Sequence, residues 1–206
     1  MKTKFEDQFS FTREYWMTNH MDFGDWHRVY VIFKEILRLK PRSILEIGLG
    51  SGIFGDLLMN KVDDYITLDI SPILKPDIVS DLKTHQHSLD NKFDFAICSQ
   101  VMEHIEYNDV RCSLDNLNSY LRERGKLMIT VPHQRLYFLW MIPTNIPHII
   151  TMPRWFLKRG KDPYHEWEIG YNTKKKDMEQ LFRLAGFKKL KYQKLLLADY
   201  WLLEKK

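Results

Sequence analysis

The chain has 206 residues, 44% hydrophobic and 28% charged, with a formal net charge of +4. That length suits one domain with a sizeable core and an elaborated end, and the small net charge gives no case for nucleic acid on its own. Two cysteines, Cys98 and Cys112, lack metal-ligand spacing and read as reduced thiols of a cytoplasmic protein, and the polar first 20 residues hold no signal peptide.

Residues 25–40 predict an amphipathic helix, with Trp26, Val29, Tyr30, Phe33, Ile36 and Leu37 at helical spacing and Pro41 as its stop. Ser43–Ile47 reads as a buried parallel strand that enters a glycine turn, and Gly52–Asn60 as the next helix. Tyr65–Asp69, Asp77–Asp81 and Phe93–Ser99 are three further predicted strands. Residues 108–122 carry Val110, Leu114, Leu117 and Leu121 on one helical stripe, and Gly125–Val131 is a fifth strand ended by Pro132. Residues 133–172 read as an irregular, proline-punctuated insertion, followed by a helix at 174–185 that stops at Gly186. Two strands at 188–196 and 199–205 predict a closing antiparallel hairpin.

Strands alternating with helices imply a doubly wound, mostly parallel sheet, here seven-stranded with the antiparallel hairpin at its end. Ligands in such sheets sit beyond the carboxyl ends of the strands, at the point where strand order reverses. Chemistry is therefore expected just after residues 47, 69, 81, 99 and 131. The whole of 1–206 reads as one domain, with a helical N-terminal segment at 1–40 and a lid-like insertion at 133–172.

The turn Glu46-Ile47-Gly48-Leu49-Gly50-Ser51-Gly52 follows the first strand. Its glycines allow positive φ and close approach of a ligand to the backbone. Gly50 to Gly55 also satisfies the G-x-G-x-x-G pattern of dinucleotide sites. Asp69, 21 residues after Gly48, is placed to accept both hydroxyls of an adenosine ribose, which a dinucleotide and S-adenosylmethionine (SAM) share. An acidic residue two before the first glycine suits an ammonium-bearing ligand and repels a pyrophosphate.

The order Glu46-x-Gly48-x-Gly50-x-Gly52, Asp69, Asp81 and Phe93 through His104 resembles class I SAM-dependent methyltransferases with a Rossmann-like fold. The flavour is that of small-molecule enzymes such as the ubiquinone-biosynthesis O-methyltransferases. The resemblance covers about residues 42–135, and Ala185-Gly186-Phe187 fits it too. It implies that Glu46 and Gly48, Gly50 and Gly52 hold the methionine end of SAM and that Asp69 binds the ribose. Ile70 would pack on the adenine, Asp81 would accept from the adenine amino group, Leu82 would add a backbone contact, and Ser99 and Gln100 would flank the methionine portion.

The implied function is methyl transfer to a small-molecule or lipid- or glycan-linked acceptor, at oxygen. Orientation supplies much of such a rate, and a general base is needed only where the acceptor loses a proton. His104, His133 and His165 are the candidate bases; the first two are equally readable as loop anchors, and His165 as part of a packed lid. His85 and His87 form His-x-His in a polar loop without further ligands, so no metal site is expected.

The apolar run 136–159 contains Tyr137, Phe138, Trp140, Trp155 and Phe156, with Arg154, Lys158 and Arg159 at one end. It reads as an active-site lid or as an interfacial patch touching a membrane peripherally; its prolines argue against a spanning helix. Residues 154–206 hold 14 Lys/Arg against 7 Asp/Glu, a solvated basic face or an attraction for an anionic substrate, RNA or membrane. Nucleic acid is disfavoured by the absence of an Asn/Asp-Pro-Pro-Tyr/Phe motif after the fourth strand. Two rivals remain: an NAD(P)-binding oxidoreductase, against which Tyr164 is followed at the fourth position by Glu168 rather than Lys, and a SAM-binding protein without transferase activity. The sequence leaves the oligomeric state unknown.

Overall fold

The computed structural model describes residues 10–19, 21–132, 135–141, 147–153, 174–196 and 198–206. Two helices lead in, α1 (Arg13–Asn19) and α2 (Phe23–Leu39). Asp22 caps α2: its carboxylate accepts from the Asp25 N–H while the Asp25 carboxylate accepts from the Asp22 N–H. Lys40, in the left-handed region, ends α2 before Pro41.

Then come β1 (Ser43–Ile47), α3 (Ile53–Leu58), β2 (Asp64–Asp69), the two-residue β3 (Ile78–Val79), β4 (Phe93–Ser99), α4 (Tyr107–Tyr120) and β5 (Leu121–Pro132). A two-stranded antiparallel ribbon, β6 (Arg135–Met141) and β7 (Pro147–Pro153), follows, and α5 (Lys175–Leu184), β8 (Phe187–Lys194) and β9 (Ala198–Lys205) complete the chain.

The main sheet has seven strands in the order β3-β2-β1-β4-β5-β9-β8. The first five are mutually parallel, and β9 runs antiparallel to both β5 and β8. From β1 the chain winds outward to β3 and then returns to place β4 on the other side of β1, so the reversal lies between β1 and β4. Strand alternation divides the core between the two faces. Ile44, Phe95 and Ile97 pack with Val29, Ile32 and Ile36 of α2 and with Phe54 and Leu58 of α3. Leu45, Ala96 and Cys98 pack on the other face with Val110, Leu114 and Leu117 of α4 and Met178 and Phe182 of α5.

Three details depart from the sequence reading. The predicted irregular stretch 133–172 contains the β6–β7 ribbon, in register from Arg135 opposite Pro153 to Met141 opposite Pro147. Aromatic and β-branched residues favour strands, and these prolines stand at a strand's ends, where the ladder tolerates them. Strand β5 begins at Leu121 rather than Gly125, because Arg122, Glu123 and Arg124 bulge between the pairs Phe93–Leu121 and Phe95–Lys126. On α2 the sheet takes the line Val29, Ile32 and Ile36, and Trp26, Tyr30 and Leu37 stay exposed; the apolar stripe is wider than the face the sheet can cover. No described helix is long and apolar enough to cross a membrane.

Candidate active site at the β1–β4 edge

The turn after β1 is bound to its neighbours on both sides. The Gly48 N–H donates to the Leu68 carbonyl at 2.9 Å, and the Gly52 N–H to the Leu49 carbonyl at 2.7 Å. Gly48 has φ +76°, and a Cβ there would stand 2.4 Å from Val101 Cγ2. Gly50 has φ +48° with nothing among the described residues within 4 Å of its would-be Cβ, so its backbone faces open space there. That combination, one glycine forced by packing and one beside a void, is a cradle into which a ligand can press.

Asp69 closes the cradle from β2. It is 8% exposed, and its two oxygens accept separately from the Leu49 N–H at 2.7 Å and the Ser71 N–H at 2.8 Å. Burial raises its carboxyl above the usual range, against the pull of these donors. Each oxygen keeps a lone pair for a further donor such as a ribose hydroxyl. Ile70 beside it is 41% exposed, an apolar surface next to the acid.

Glu46 sits behind the turn, 2% exposed, and accepts a hydrogen bond from the Tyr65 hydroxyl. Burial pushes its carboxyl up to about 8, with the nearby Asp69 charge adding to the rise. Asp81 and Leu82 follow β3. Asp81 accepts from the Lys83 N–H at 3.1 Å and stays partly open, while Leu82 is buried and its carbonyl accepts from Asn116 Nδ2 at 2.9 Å.

At the end of β4, Ser99 and Gln100 meet Thr130 of β5. The Ser99 and Thr130 hydroxyls lie 2.9 Å apart, and the Gln100 N–H donates to the Thr130 carbonyl at 3.0 Å. Gln100 has φ +59°, a left-handed conformation uncommon outside glycine and found where a surrounding network enforces it. The 3-10 turn Met102–His104 follows, its His104 partly buried and its backbone N–H bonded to the Val101 carbonyl. The structure thus brings Glu46, Gly48, Gly50, Gly52, Asp69, Ile70, Ser99 and Gln100 to one sheet edge, with His104 on the turn that leaves β4. His133 and His165 lie outside the described residues, as do Arg154, Trp155, Phe156, Lys158 and Arg159 of the apolar run.

Several residues of this edge escaped the sequence reading. Arg28 of α2 donates through Nη1 to Ser99 Oγ at 2.5 Å and pairs with Asp25, only 14% of its side chain exposed. Arg13 of α1 donates to the Ser51 carbonyl at 2.6 Å and pairs with Asp56, laying α1 over the glycine turn. Glu103 is 1% exposed, its Oε2 has no hydrogen-bond partner among the described residues, and burial pushes its carboxyl up to about 8. Arginines on a helix at helical spacing look like any solvated face, so spacing carried no signal for them.

A family model described as a methyltransferase domain matches residues 25–192. An uncharacterized protein of Methanocaldococcus jannaschii is 30% identical over 54% of this chain; the chain spans about half the length of that curated relative, 51%. Among solved structures, the Burkholderia thailandensis 1,6-didemethyltoxoflavin-N1-methyltransferase, with bound 1,6-didemethyltoxoflavin and S-adenosylhomocysteine, aligns with a TM-score of 0.61 at 13% identity, over 98% of this chain and 84% of that one. The N-methyltransferase NodS from Bradyrhizobium japonicum, in complex with S-adenosylhomocysteine, aligns with a TM-score of 0.64 at 13% identity, over 98% and 96%. At such identity the likeness of these structures is one of fold, and the family model carries the assignment: the chain belongs to the class I SAM-dependent methyltransferases.

Proposed function

We propose that the chain methylates an oxygen of a small-molecule or lipid-linked acceptor, with the cradle at the β1–β4 edge holding SAM. The supporting observation is the open space beside Gly50 among the described residues, on a turn that follows the buried Glu46 and is held by the buried Asp69 through the Leu49 N–H. It fits a ligand with a diol at one end and a charged amino acid at the other. In this reading Asp69 accepts from the ribose hydroxyls, Ile70 covers the adenine face, and Asp81 and Leu82 meet its edge. Glu46, protonated in the ligand-free protein because burial holds its carboxyl up to about 8, gives up its proton as the ammonium arrives and then faces it, while Ser99 and Gln100 flank the methionine chain. Bound SAM supplies an electrophilic methyl on a sulfonium.

The chain's own contribution is placement. The Thr130–Ser99–Arg28 network fixes the floor beside β4, and His104, on the turn leaving that strand, takes the proton of an acceptor hydroxyl. His133, which follows β5 directly in sequence, stands as the alternative base and His165 as a substrate contact in the insertion.

We read 133–172 as the acceptor-side cover. The β6–β7 ribbon leaves β5 at its carboxyl end, the ligand-binding edge of the sheet. The apolar composition of the sequence 136–159, with Trp140 and with Trp155 flanked along the chain by Arg154 and Lys158, suits an acceptor carried at a membrane surface, from which the enzyme works peripherally.

The test incubates the protein with labelled SAM and a lysate split into aqueous and lipid extracts, and follows label by mass spectrometry. A methyl ether or ester supports the reading. Label on nitrogen, as the names of the two structural neighbours would suggest, overturns the choice of oxygen. S-adenosylhomocysteine binding with no labelled product in either extract would leave a SAM-binding protein without transferase activity.

A further inference from the structure

Outside the cradle, the connection between β3 and β4 gathers a second cluster. A 3-10 turn at His87–Leu89 brings Asp90 against two imidazoles. His85 Nε2 lies 3.0 Å from Asp90 Oδ1 and 3.1 Å from Oδ2, and His87 Nδ1 lies 3.7 Å from Oδ2. The three donor groups all lie within 4.8 Å of one another. Zinc–ligand distances of about 2.0–2.1 Å set tetrahedral donors about 3.3 Å apart, so two of the three edges already have nearly that length.

Asn116 of α4 fixes the chemistry of His85. Its Nδ2 donates to the Leu82 carbonyl, which turns Oδ1 onto His85 Nδ1 at 2.9 Å. An amide oxygen only accepts, so Nδ1 carries a hydrogen and the neutral ring presents a lone pair at Nε2. That lone pair faces a carboxylate, which also only accepts. Asp90 Oδ1 is buried and, apart from His85 Nε2 at 3.0 Å, has no partner among the described residues. Two acceptors in contact need either a second proton on the ring or a metal ion between them, and the second imidazole beside the carboxylate favours the ion. His87 brings a second nitrogen to the same carboxylate from the open side, its side chain 89% exposed. A histidine whose second nitrogen is tied to a backbone or side-chain carbonyl is also the usual form of a metal ligand.

We propose that His85, His87 and Asp90 bind a divalent transition-metal ion of the zinc class, with Asn116 orienting His85 and a fourth position left to water. Imidazole and carboxylate donors suit zinc, cobalt and nickel. This reverses the sequence expectation of a ligand-poor loop. The missing ligand was Asp90, three residues past His87, brought round by the 3-10 turn.

The test titrates chelator-treated full-length protein with Co2+, read by the visible absorption of the bound ion, and then displaces it with Zn2+. SAM is left out, so the outcome is independent of the cofactor site. One equivalent of Co2+ displaced by Zn2+ is expected, with affinity lowered about tenfold or more in H87A and in D90N. His87 is exposed, so H87A leaves the fold intact, which circular dichroism checks. Absence of a protein-dependent Co2+ band would show that a proton alone joins His85 and Asp90, and overturns the site. So would a band that H87A and D90N leave unchanged while Cys112→Ser removes it.

Discussion

The Asp69 carboxylate, at the end of β2, accepts the Leu49 N–H of the glycine turn after β1 at 2.7 Å. One side chain thus holds the turn in shape and, in the proposed function, grips the ribose. Asp69→Ala should weaken S-adenosylhomocysteine binding by roughly 1.5–3 kcal/mol, the range for hydrogen bonds to a charged group, measured by calorimetry. Adenosine alone should lose affinity by a similar factor, because it carries the same diol. Unchanged adenosine binding would place the ribose elsewhere.

The glycines separate packing from ligand contact. Gly48→Ala puts a Cβ 2.4 Å from Val101 at φ +76°, so it should lower the thermal midpoint, and Val101→Ala should restore part of the loss. Gly50→Ala meets no atom of the described residues within 4 Å. Its fold cost should stay near the roughly 1–2 kcal/mol of a left-handed residue, while cofactor affinity falls far more. Scanning calorimetry with and without S-adenosylhomocysteine distinguishes the two. A Gly50→Ala protein that binds normally would remove Gly50 from the cradle.

Much of this edge was legible in the sequence because it is local. Gly48, Gly50 and Gly52 announce a turn between a strand and a helix, and Asp69 follows one βα unit later. Which adenosyl ligand they serve was not legible from the glycines alone, since Gly50 to Gly55 satisfies a dinucleotide pattern as well; the match over 25–192 decides it. What stayed hidden is long-range. Arg28 reaches Ser99 across 71 residues, and Asn116 reaches His85 across 31; neither separation has a periodicity to betray it. The β6–β7 ribbon was missed for a different reason, because prolines that would break a central strand sit at its ends.

Two buried carboxyls predict a stability that falls with pH. Burial pushes both Glu46 and Glu103 up to about 8, from an ordinary value of 4.5 in the unfolded chain. A raised folded pKa means the native state holds the proton more tightly. Its contribution is therefore complete below about 4.5 and is lost as pH rises through about 8. The urea midpoint should fall between pH 5 and pH 9, and Glu103→Gln, which needs no proton to be neutral, should flatten that fall. A midpoint that rises over this range would contradict the burial of both groups as uncharged acids.

Arg28 offers the sharpest division of the cradle. It stands on α2 over the carboxyl end of β4, held by Ser99 Oγ and by Asp25, whose carboxyl burial raises despite the arginine. Five guanidinium donors exceed what those two partners absorb, and the adjoining Ser99 and Gln100 are the proposed neighbours of the methionine chain. In the proposed function, a spare donor there would meet the carboxylate of that chain. Arg28→Met keeps the length and apolar stem but removes the donors. It should weaken S-adenosylhomocysteine by a factor of about 10–100, the equivalent of a lost charged hydrogen bond, and leave adenosine, which has no carboxylate, unaffected. Asp69→Ala weakens both ligands, so the pair of variants maps the two ends of the cofactor independently. Equal losses for both ligands in Arg28→Met would mean that the arginine only braces the floor through Ser99 and Thr130.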